Sequence, residues 1–132
     1  MEQANELSII QHEIIIGGLL GDGSLEMGAR ARTPRLKIER STKDLDYLKW
    51  QYSHLNTLCT SQGIHTYIRN DKRYDTNYSY SYLRTKGCKQ LTAYYEVWYP
   101  NKVRIVPSTL ELTPLILSIW FADDGSLVKD KF

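Results

Sequence analysis

Two short segments of this sequence carry the residues best suited to chemistry. Each is an apolar stretch that runs into the tetrapeptide Asp-Gly-Ser-Leu: the first covers Ile14 to Leu25 and the second covers Leu117 to Leu127. Asp22 and Asp124 hold equivalent positions in them, about one domain length apart. A single Asp-Gly is a common turn dipeptide, and alone it would indicate only the end of a helix. Its repetition after two apolar helices favours a shared role.

Small residues predict how the two acidic ends meet. Gly17 and Gly21 lie four residues apart on the first helix, and Ser118 and Ala122 give the second helix a comparable stripe. Residues at this spacing share one helix face, and small ones let two backbones approach closely. We therefore expect these four residues to form a helix–helix interface between helices that lie side by side and point the same way.

Such packing would bring Asp22 and Asp124 together at the helix C-termini. Two carboxylates there repel each other and the negative ends of the helix dipoles. A divalent cation relieves this repulsion, and hard oxygen ligands suit Mg²⁺. The pair therefore predicts a Mg²⁺ site, in which Mn²⁺ can substitute, able to activate water and stabilise a phosphoryl transition state.

The patterns between these segments predict a small α+β domain. We expect a strand whose polar and apolar residues alternate, and Thr113 and Pro114 suit the start of the last helix. The predicted helices are Leu7–Asp22, Asp44–Ser61, Lys89–Glu96 and Pro114–Asp124, and the predicted strands are Arg32–Arg40, His65–Arg69 and Asn77–Thr85. A second strand beside Arg32–Arg40 is left open.

The positions of the charged residues say more about the binding partner than the net charge does. The 132 residues suit one domain, and a net charge of +2 permits nucleic acid without demanding it. Arginine and lysine can contact phosphates or guanine edges, and tyrosine can contact the backbone or thymine methyls. The candidate DNA-binding residues lie on the predicted strands and their turns: Arg30, Arg32, Arg35, Lys37, Arg40, Arg69, Lys72, Arg73, Tyr80, Tyr82 and Arg84.

The cysteines and the apolar runs indicate the kind of cellular compartment in which the protein acts. Cys59 and Cys88 form no CxxC motif, which argues against a disulfide framework or a thiolate zinc site and favours a reducing compartment. The longest apolar run, Ile14 to Leu20, is too short to cross a bilayer, and the N-terminus resembles no signal peptide. We expect no membrane partner and action in the compartment of synthesis.

The sequence resembles the LAGLIDADG homing endonuclease family along nearly its whole length. GGLLGDG and SIWFADDG are similar to the ends of the family motif, and RLKIERSTKDLDYLKW is similar to its first-sheet strand and following helix. YPNKVRIVP, Tyr99 to Pro107, resembles the segment before the second motif. The resemblance implies one αββαββα domain, residues 1–111, followed by residues 112–132 as the interface helix that begins a second domain.

The resemblance also implies an activity and a site. It points to an intron-encoded, organelle-encoded, Mg²⁺-dependent endonuclease that cuts a long double-stranded DNA site, with Asp22 and Asp124 as metal ligands. Arg104 takes the place of a basic residue, usually lysine, that assists at the scissile phosphate, and Lys102 could replace it. Arginine does not readily exchange a proton, so Arg104 would act as a charge clamp.

Three alternatives to this interpretation remain open, and so does the assembly of the enzyme. Only one candidate sheet is present, so the resemblance implies a C-terminal half or a second copy that associates through the motif helices. The alternatives are an RNA-binding intron maturase, a catalytically inactive DNA-binding remnant of the same family, and an ordinary α+β protein with no nucleic-acid role.

Overall fold

Four helices and four strands make up the described chain, residues 7–59 and 63–130 of a computed structural model, with side chains described up to residue 122. The order αββαββα with a further helix confirms the predicted α+β fold. The strand left open by the sequence is β1, which follows α1 directly and pairs with β2. The elements are α1 Ile9–Leu20, β1 Gly23–Glu26, β2 Arg35–Ser41, α2 Leu45–Leu55, β3 His65–Asp71, β4 Thr76–Arg84, α3 Thr92–Trp98 and α4 Pro114–Asp130.

The sheet has strand order β1-β2-β4-β3 and is antiparallel throughout. Alternation along β2 decides its two faces: Leu36 and Ile38 are buried, whereas Arg35, Lys37 and Glu39 lie on the opposite, more exposed face. We call these the inner face and the outer face. The helices cover the inner face, so the outer face is left accessible.

The second half of α1 is buried on every side, as its all-apolar composition predicts. Residues 14–19 are all buried, and Ile14 and Ile15 are fully so. Gly18 brings the helix close to the sheet, because a Cβ built there would lie 3.6 Å from Cδ1 of Ile38. The remaining core is apolar and comes from the sheet, α2, α3 and α4: Leu36, Ile38, Leu48, Leu55, Leu83, Leu91, Trp98, Ile116 and Ile119.

The start of α4 is confirmed and its end differs from the prediction. Thr113 caps the helix, since its hydroxyl oxygen accepts a hydrogen bond from the backbone N–H of Ile116 at 3.2 Å. The helix was expected to end near Asp124, yet it continues to Asp130. A lone glycine costs a helix about 1 kcal/mol relative to alanine, so an Asp-Gly pair does not by itself stop one.

The two cysteines are buried and unbridged. Burial, with a smaller contribution from the neighbouring Cys88, raises the pKa of the Cys59 thiol to about 11. Cys59 is therefore a neutral thiol at physiological pH. Within residues 7–59 and 63–130, no helix is long and apolar enough to span a membrane.

Candidate active site and nucleic-acid interface

Helices α1 and α4 pack side by side along their first three turns. Near their N-termini the hydroxyl of Thr113 donates a hydrogen bond to the Glu13 carboxylate. One turn further on, a Cβ built on Gly17 would lie 2.6 Å from Cγ2 of Ile119 and 3.3 Å from the carbonyl oxygen of Ile116. Real Cβ atoms do not approach so closely, so this helix contact requires glycine at position 17.

Two of the other residues expected at this interface, Ser118 and Ala122, have exposed side chains. The Ser118 hydroxyl donates to the carbonyl of Pro114 at 2.9 Å. Gly21 is the C-cap of α1, where its N–H donates to the carbonyl of Gly18 at 3.0 Å. The face of α4 that meets Gly17 is formed by isoleucines, which fill the gap left by the missing side chain better than a stripe of small residues would.

A buried arginine connects the C-terminal end of α1 to α4. Arg40 is 5% exposed. Its Nη1 lies 3.9 Å from Oδ2 of Asp22, and its Nη2 donates a hydrogen bond to the carbonyl of Ala122 at 3.2 Å. The same guanidinium pairs with Asp44 at 3.5 Å and lies 4.5 Å from the centre of the Tyr47 ring. Arg40 therefore belongs to the inner face, apart from the outward-facing basic residues with which the sequence grouped it.

The contacts of α1 with α4 fix their relative direction. Glu13, one turn into α1, meets Thr113 at the start of α4, and Asp22 and Ala122 share Arg40 further along both segments, so the helices run parallel. Asp124 follows Ala122 by two residues in α4, and its side chain lies outside the described part. The parallel packing supports a common end for the two acids.

Asp22 itself has the exposure that a ligand-binding carboxylate needs. Its side chain is 41% exposed, directly after the C-cap of α1. Among the side chains that the structure describes, no cluster of three or more His, Cys, Asp or Glu could hold a metal ion.

The outer face of the sheet carries interleaved cations, acids and tyrosines. Strand pairing sets their neighbours: Lys37 faces Arg84, and Tyr67 faces Tyr80. Six of the predicted DNA-binding residues lie on this face, and the face also includes residues that the sequence did not single out. The members on the strands are Glu26, Arg35, Lys37, Glu39, His65, Tyr67, Arg69, Tyr78, Tyr80, Tyr82 and Arg84.

Rings on the outer face hold several of its cations in place. Nζ of Lys37 lies 4.9 Å from the centre of the Tyr82 ring, and the Arg84 guanidinium lies 5.2 Å from the same centre. The Arg69 guanidinium lies 4.9 Å from the centre of the Tyr80 ring. Such cation–π contacts order long side chains while leaving their polar ends accessible.

The Tyr67 hydroxyl donates a hydrogen bond to Glu39 Oε1 at 2.7 Å and accepts one from Arg69 Nη2 at the same distance. Desolvation, followed by the hydrogen bond to Glu39, raises the pKa of Tyr67, so the hydroxyl remains protonated. Tyr67 and Glu39 were not among the predicted residues; the alternation of β2 and β3 was the signal that could have found them.

The other predicted basic residues lie in turns. Arg30 and Arg32 are exposed between β1 and β2, and Lys72 and Arg73 are exposed in the turn from β3 to β4. Arg73 pairs with Asp71 at 3.3 Å. These four side chains extend the positive charge beyond the strands of the outer face.

Lys102 and Arg104 lie in the exposed segment between α3 and α4. The backbone of Lys102 is left-handed, with φ 63°, and Asn101 before it has φ 56°. A left-handed lysine costs roughly 1–2 kcal/mol and needs surrounding contacts to hold it. One anchor is Tyr99, whose carbonyl accepts from the N–H of Lys102 and whose hydroxyl accepts from the N–H of Leu25. The segment thus begins beside β1.

The chain is an α+β protein with a helix-backed sheet whose outer face is basic and rich in tyrosine. Comparison with known proteins identifies the family. Residues 12–131 match the LAGLIDADG DNA endonuclease family, and the chain belongs to that family. The resemblance inferred from the two Asp-Gly-Ser-Leu segments is thereby confirmed.

Individual relatives agree with the family assignment. The chain is 29% identical over 126 residues to the DNA endonuclease I-ChuI of Chlamydomonas applanata, covering 89% of this chain and 58% of that protein. It is 28% identical over 122 residues to the cytochrome b mRNA maturase bI2 of Saccharomyces cerevisiae, covering 85% of this chain and 29% of that protein. The chain therefore spans between 29% and 58% of the length of these relatives.

A solved structure shares the fold. The homing endonuclease I-WcaI, bound to its DNA recognition sequence, superposes with a TM-score of 0.81 at 24% identity. The match covers 93% of this chain and 54% of that one.

Proposed function

We propose that this chain forms one DNA-binding sheet and supplies both motif acids, Asp22 and Asp124, of a divalent-metal-dependent endonuclease that cuts a specific double-stranded DNA site. The parallel packing of α1 on α4 carries the proposal, because Asp22 and Ala122, two residues before Asp124, contact the same arginine. Membership of a family of DNA endonucleases supplies the reaction class.

The residues at these helix ends fit a hard divalent cation. Asp22 and Asp124 would hold Mg²⁺ or Mn²⁺ through carboxylate oxygens, the ligand type that both ions prefer. When bound, the ion would activate water and offset charge on the phosphoryl group. Arg40 compensates part of the Asp22 charge from its buried side, and leaves the exposed side of the carboxylate accessible.

The outer face would bind the duplex. Its arginines and lysines supply donors for phosphates and guanine edges, and its tyrosines supply ring and hydroxyl contacts. The turn residues Arg30, Arg32, Lys72 and Arg73 would add phosphate contacts at the two ends of the sheet. Arg40 is left out of this set because it is buried on the inner face.

Arg104 would act at the scissile phosphate as a fixed positive charge, with Lys102 as the second candidate for this role. Both side chains are exposed in the segment that begins beside β1. Only lysine could also exchange a proton, since arginine does not readily give one up. Arg104→Lys and Lys102→Arg variants would separate a charge role from a proton-transfer role by their pH–rate profiles.

A second sheet would complete the enzyme. Relatives that are longer than this chain support a C-terminal half, and a second copy joined through the motif helices is the other way to supply it. One sheet grips about half of a long site, so the chain alone should bind DNA weakly and mainly through phosphates.

RNA binding in intron splicing is the second candidate function. The likeness to a cytochrome b mRNA maturase favours it and also supports an organellar setting. A splicing assay with the host intron RNA separates the two functions. A maturase should still promote splicing after Asp22 and Asp124 have both been changed to Asn, whereas the endonuclease should lose its activity.

The proposed function is tested by cleavage of a duplex DNA library with this chain alone and after addition of a polypeptide supplying a second sheet. We expect cuts in both strands at one site only in the mixture, and only with Mg²⁺ or Mn²⁺; EDTA should stop them. Efficient site-specific cutting in EDTA would contradict the metal dependence. The absence of any cutting by the mixture or by a dimer of the chain would contradict the endonuclease function.

A further inference from the structure

One acid on the outer face holds two arginines from different strands. Oε1 of Glu26 accepts a hydrogen bond from Nε of Arg35 and another from Nε of Arg84, each at 3.1 Å. Arg35 is the direct cross-strand partner of Glu26, whereas Arg84 lies on β4, on the far side of β2. A single carboxylate oxygen therefore connects three strands.

We propose that Glu26 is a positioning residue for base reading, which clamps Arg35 and Arg84 so that their terminal nitrogens meet guanine edges. The proposal rests on the DNA-binding outer face proposed above. With Nε engaged by Glu26, each guanidinium keeps its Nη donors. Those terminal nitrogens form the edge that can contact O6 and N7 of guanine together.

Charge supports a role in selectivity. Lys37 lies directly opposite Arg84, and like charges in that position repel. Glu26 compensates the two arginines, and Glu39 compensates Lys37 at 3.6 Å. A patch with cations alone would bind the phosphates of any sequence. The acids lower that general affinity and leave donors aimed in fixed directions.

The clamped groups are accessible to a ligand. Side-chain exposure is 48% for Arg35 and 31% for Arg84. A cavity of about 280 Å³ opens beside them, lined also by His65, Tyr82, Thr85 and Lys86. Arg84 is further ordered by its position over the Tyr82 ring. Ordered donors beside an open space are the condition for direct reading of a base edge.

The test uses the chain together with a polypeptide that supplies a second sheet, and duplex DNA selected from a randomised library. The measured quantity is the ratio of the dissociation constants for random and selected duplexes. Glu26→Asp keeps the charge but shortens the side chain, so it cannot reach both Nε groups, and Glu26→Ala removes charge and clamp together. Glu96→Ala, on α3 and outside the sheet, removes the same charge as a matched control.

We expect Glu26→Asp to lower the ratio about tenfold with little change in affinity for random duplex, the loss corresponding to one poorly placed bidentate contact. Glu26→Ala should lower the ratio as much and bind random duplex more tightly, with a steeper salt dependence by up to about one unit. Glu96→Ala should keep the wild-type ratio.

If Glu26→Asp kept the wild-type ratio of dissociation constants, the clamp would be overturned and Glu26 would contribute through its charge only. An equal drop for Glu96→Ala would overturn it too, since net charge would then explain the effect. Absence of any sequence preference in the mixture of the unmodified chain with the second sheet would overturn the DNA-reading face of the proposed function together with the clamp.

Discussion

The two Asp-Gly-Ser-Leu segments consist of the same four residues and have different structures. In the first, Asp22 lies in the turn after α1, and Gly23–Leu25 enter β1. In the second, Asp124–Leu127 lie inside α4. Identical residues have identical intrinsic propensities, so the difference arises from what surrounds each segment.

A neighbouring strand accounts for the structure of the first segment. Gly23 pairs with Ile38 and Leu25 pairs with Leu36, while the Leu25 side chain is 5% exposed in the core. On the other edge, the Leu25 N–H donates to the Tyr99 hydroxyl at 3.1 Å. Within the described residues no strand pairs with 124–127. A helix satisfies its own backbone groups, whereas a strand needs a partner to do so.

The largest effect predicted from this comparison is the opposite response of the two glycines to alanine. A Cβ on Gly23 would lie 2.8 Å from the backbone carbon and oxygen of Gly18, which cannot move aside without displacing α1. We expect Gly23→Ala to lower the free energy of unfolding by about 3 kcal/mol. Gly125→Ala, inside α4, should raise it by up to about 1 kcal/mol.

Urea denaturation followed by circular dichroism measures both changes. If both variants changed the free energy of unfolding in the same direction, the difference in structure between the two segments would be contradicted. Adding a second sheet should make Gly125→Ala costly as well, since a strand partner would then be available to residues 124–127.

A smaller effect on the free energy of unfolding is expected at Arg40, which contacts both segments. Arg40→Met keeps most of the buried volume but loses the ion pair with Asp22 and the hydrogen bond to the Ala122 carbonyl. We expect a loss of about 2 kcal/mol, less than for a fully buried pair because the carboxylate partners are 41% and 48% exposed.

Arg35→Met is the matched control for Arg40→Met. Arg35 lies on the same strand but on the outer face, where its side chain is 48% exposed. Its removal should change the free energy of unfolding by about 0.5 kcal/mol or less. Equal urea midpoints for the two variants would show that Arg40 adds nothing beyond a surface arginine.

Much of the fold could be predicted from periodicity and caps. The alternation around Leu36 and Ile38 located β2, and Thr113 with Pro114 located the start of α4. β1 could only be left open, because GSLE has no strand pattern of its own and its structure is decided by pairing with β2.

Two side-chain assignments show where residue type misled. Arg40 was grouped with outward cations for its charge, although its spacing from Leu36 and Ile38 predicts the inner face. Ser118 was chosen for its size, yet Gly17 leaves a gap that Ile119 fills. Periodicity was the better guide in the first case, and the second depended on three-dimensional packing that no one-dimensional pattern contains.

Double-strand cleavage by single-site variants tests most directly whether the two segments, unlike in structure, form one metal-dependent site. The assay uses the chain together with a second sheet, in Mg²⁺, and compares Asp22→Asn and Asp124→Asn with Asp123→Asn, a matched change at the preceding residue. We predict that each of the first two removes detectable cutting of both strands while duplex binding persists, and that Asp123→Asn still cuts. Wild-type cutting by Asp22→Asn or Asp124→Asn, or loss of cutting only in Asp123→Asn, would contradict the shared site.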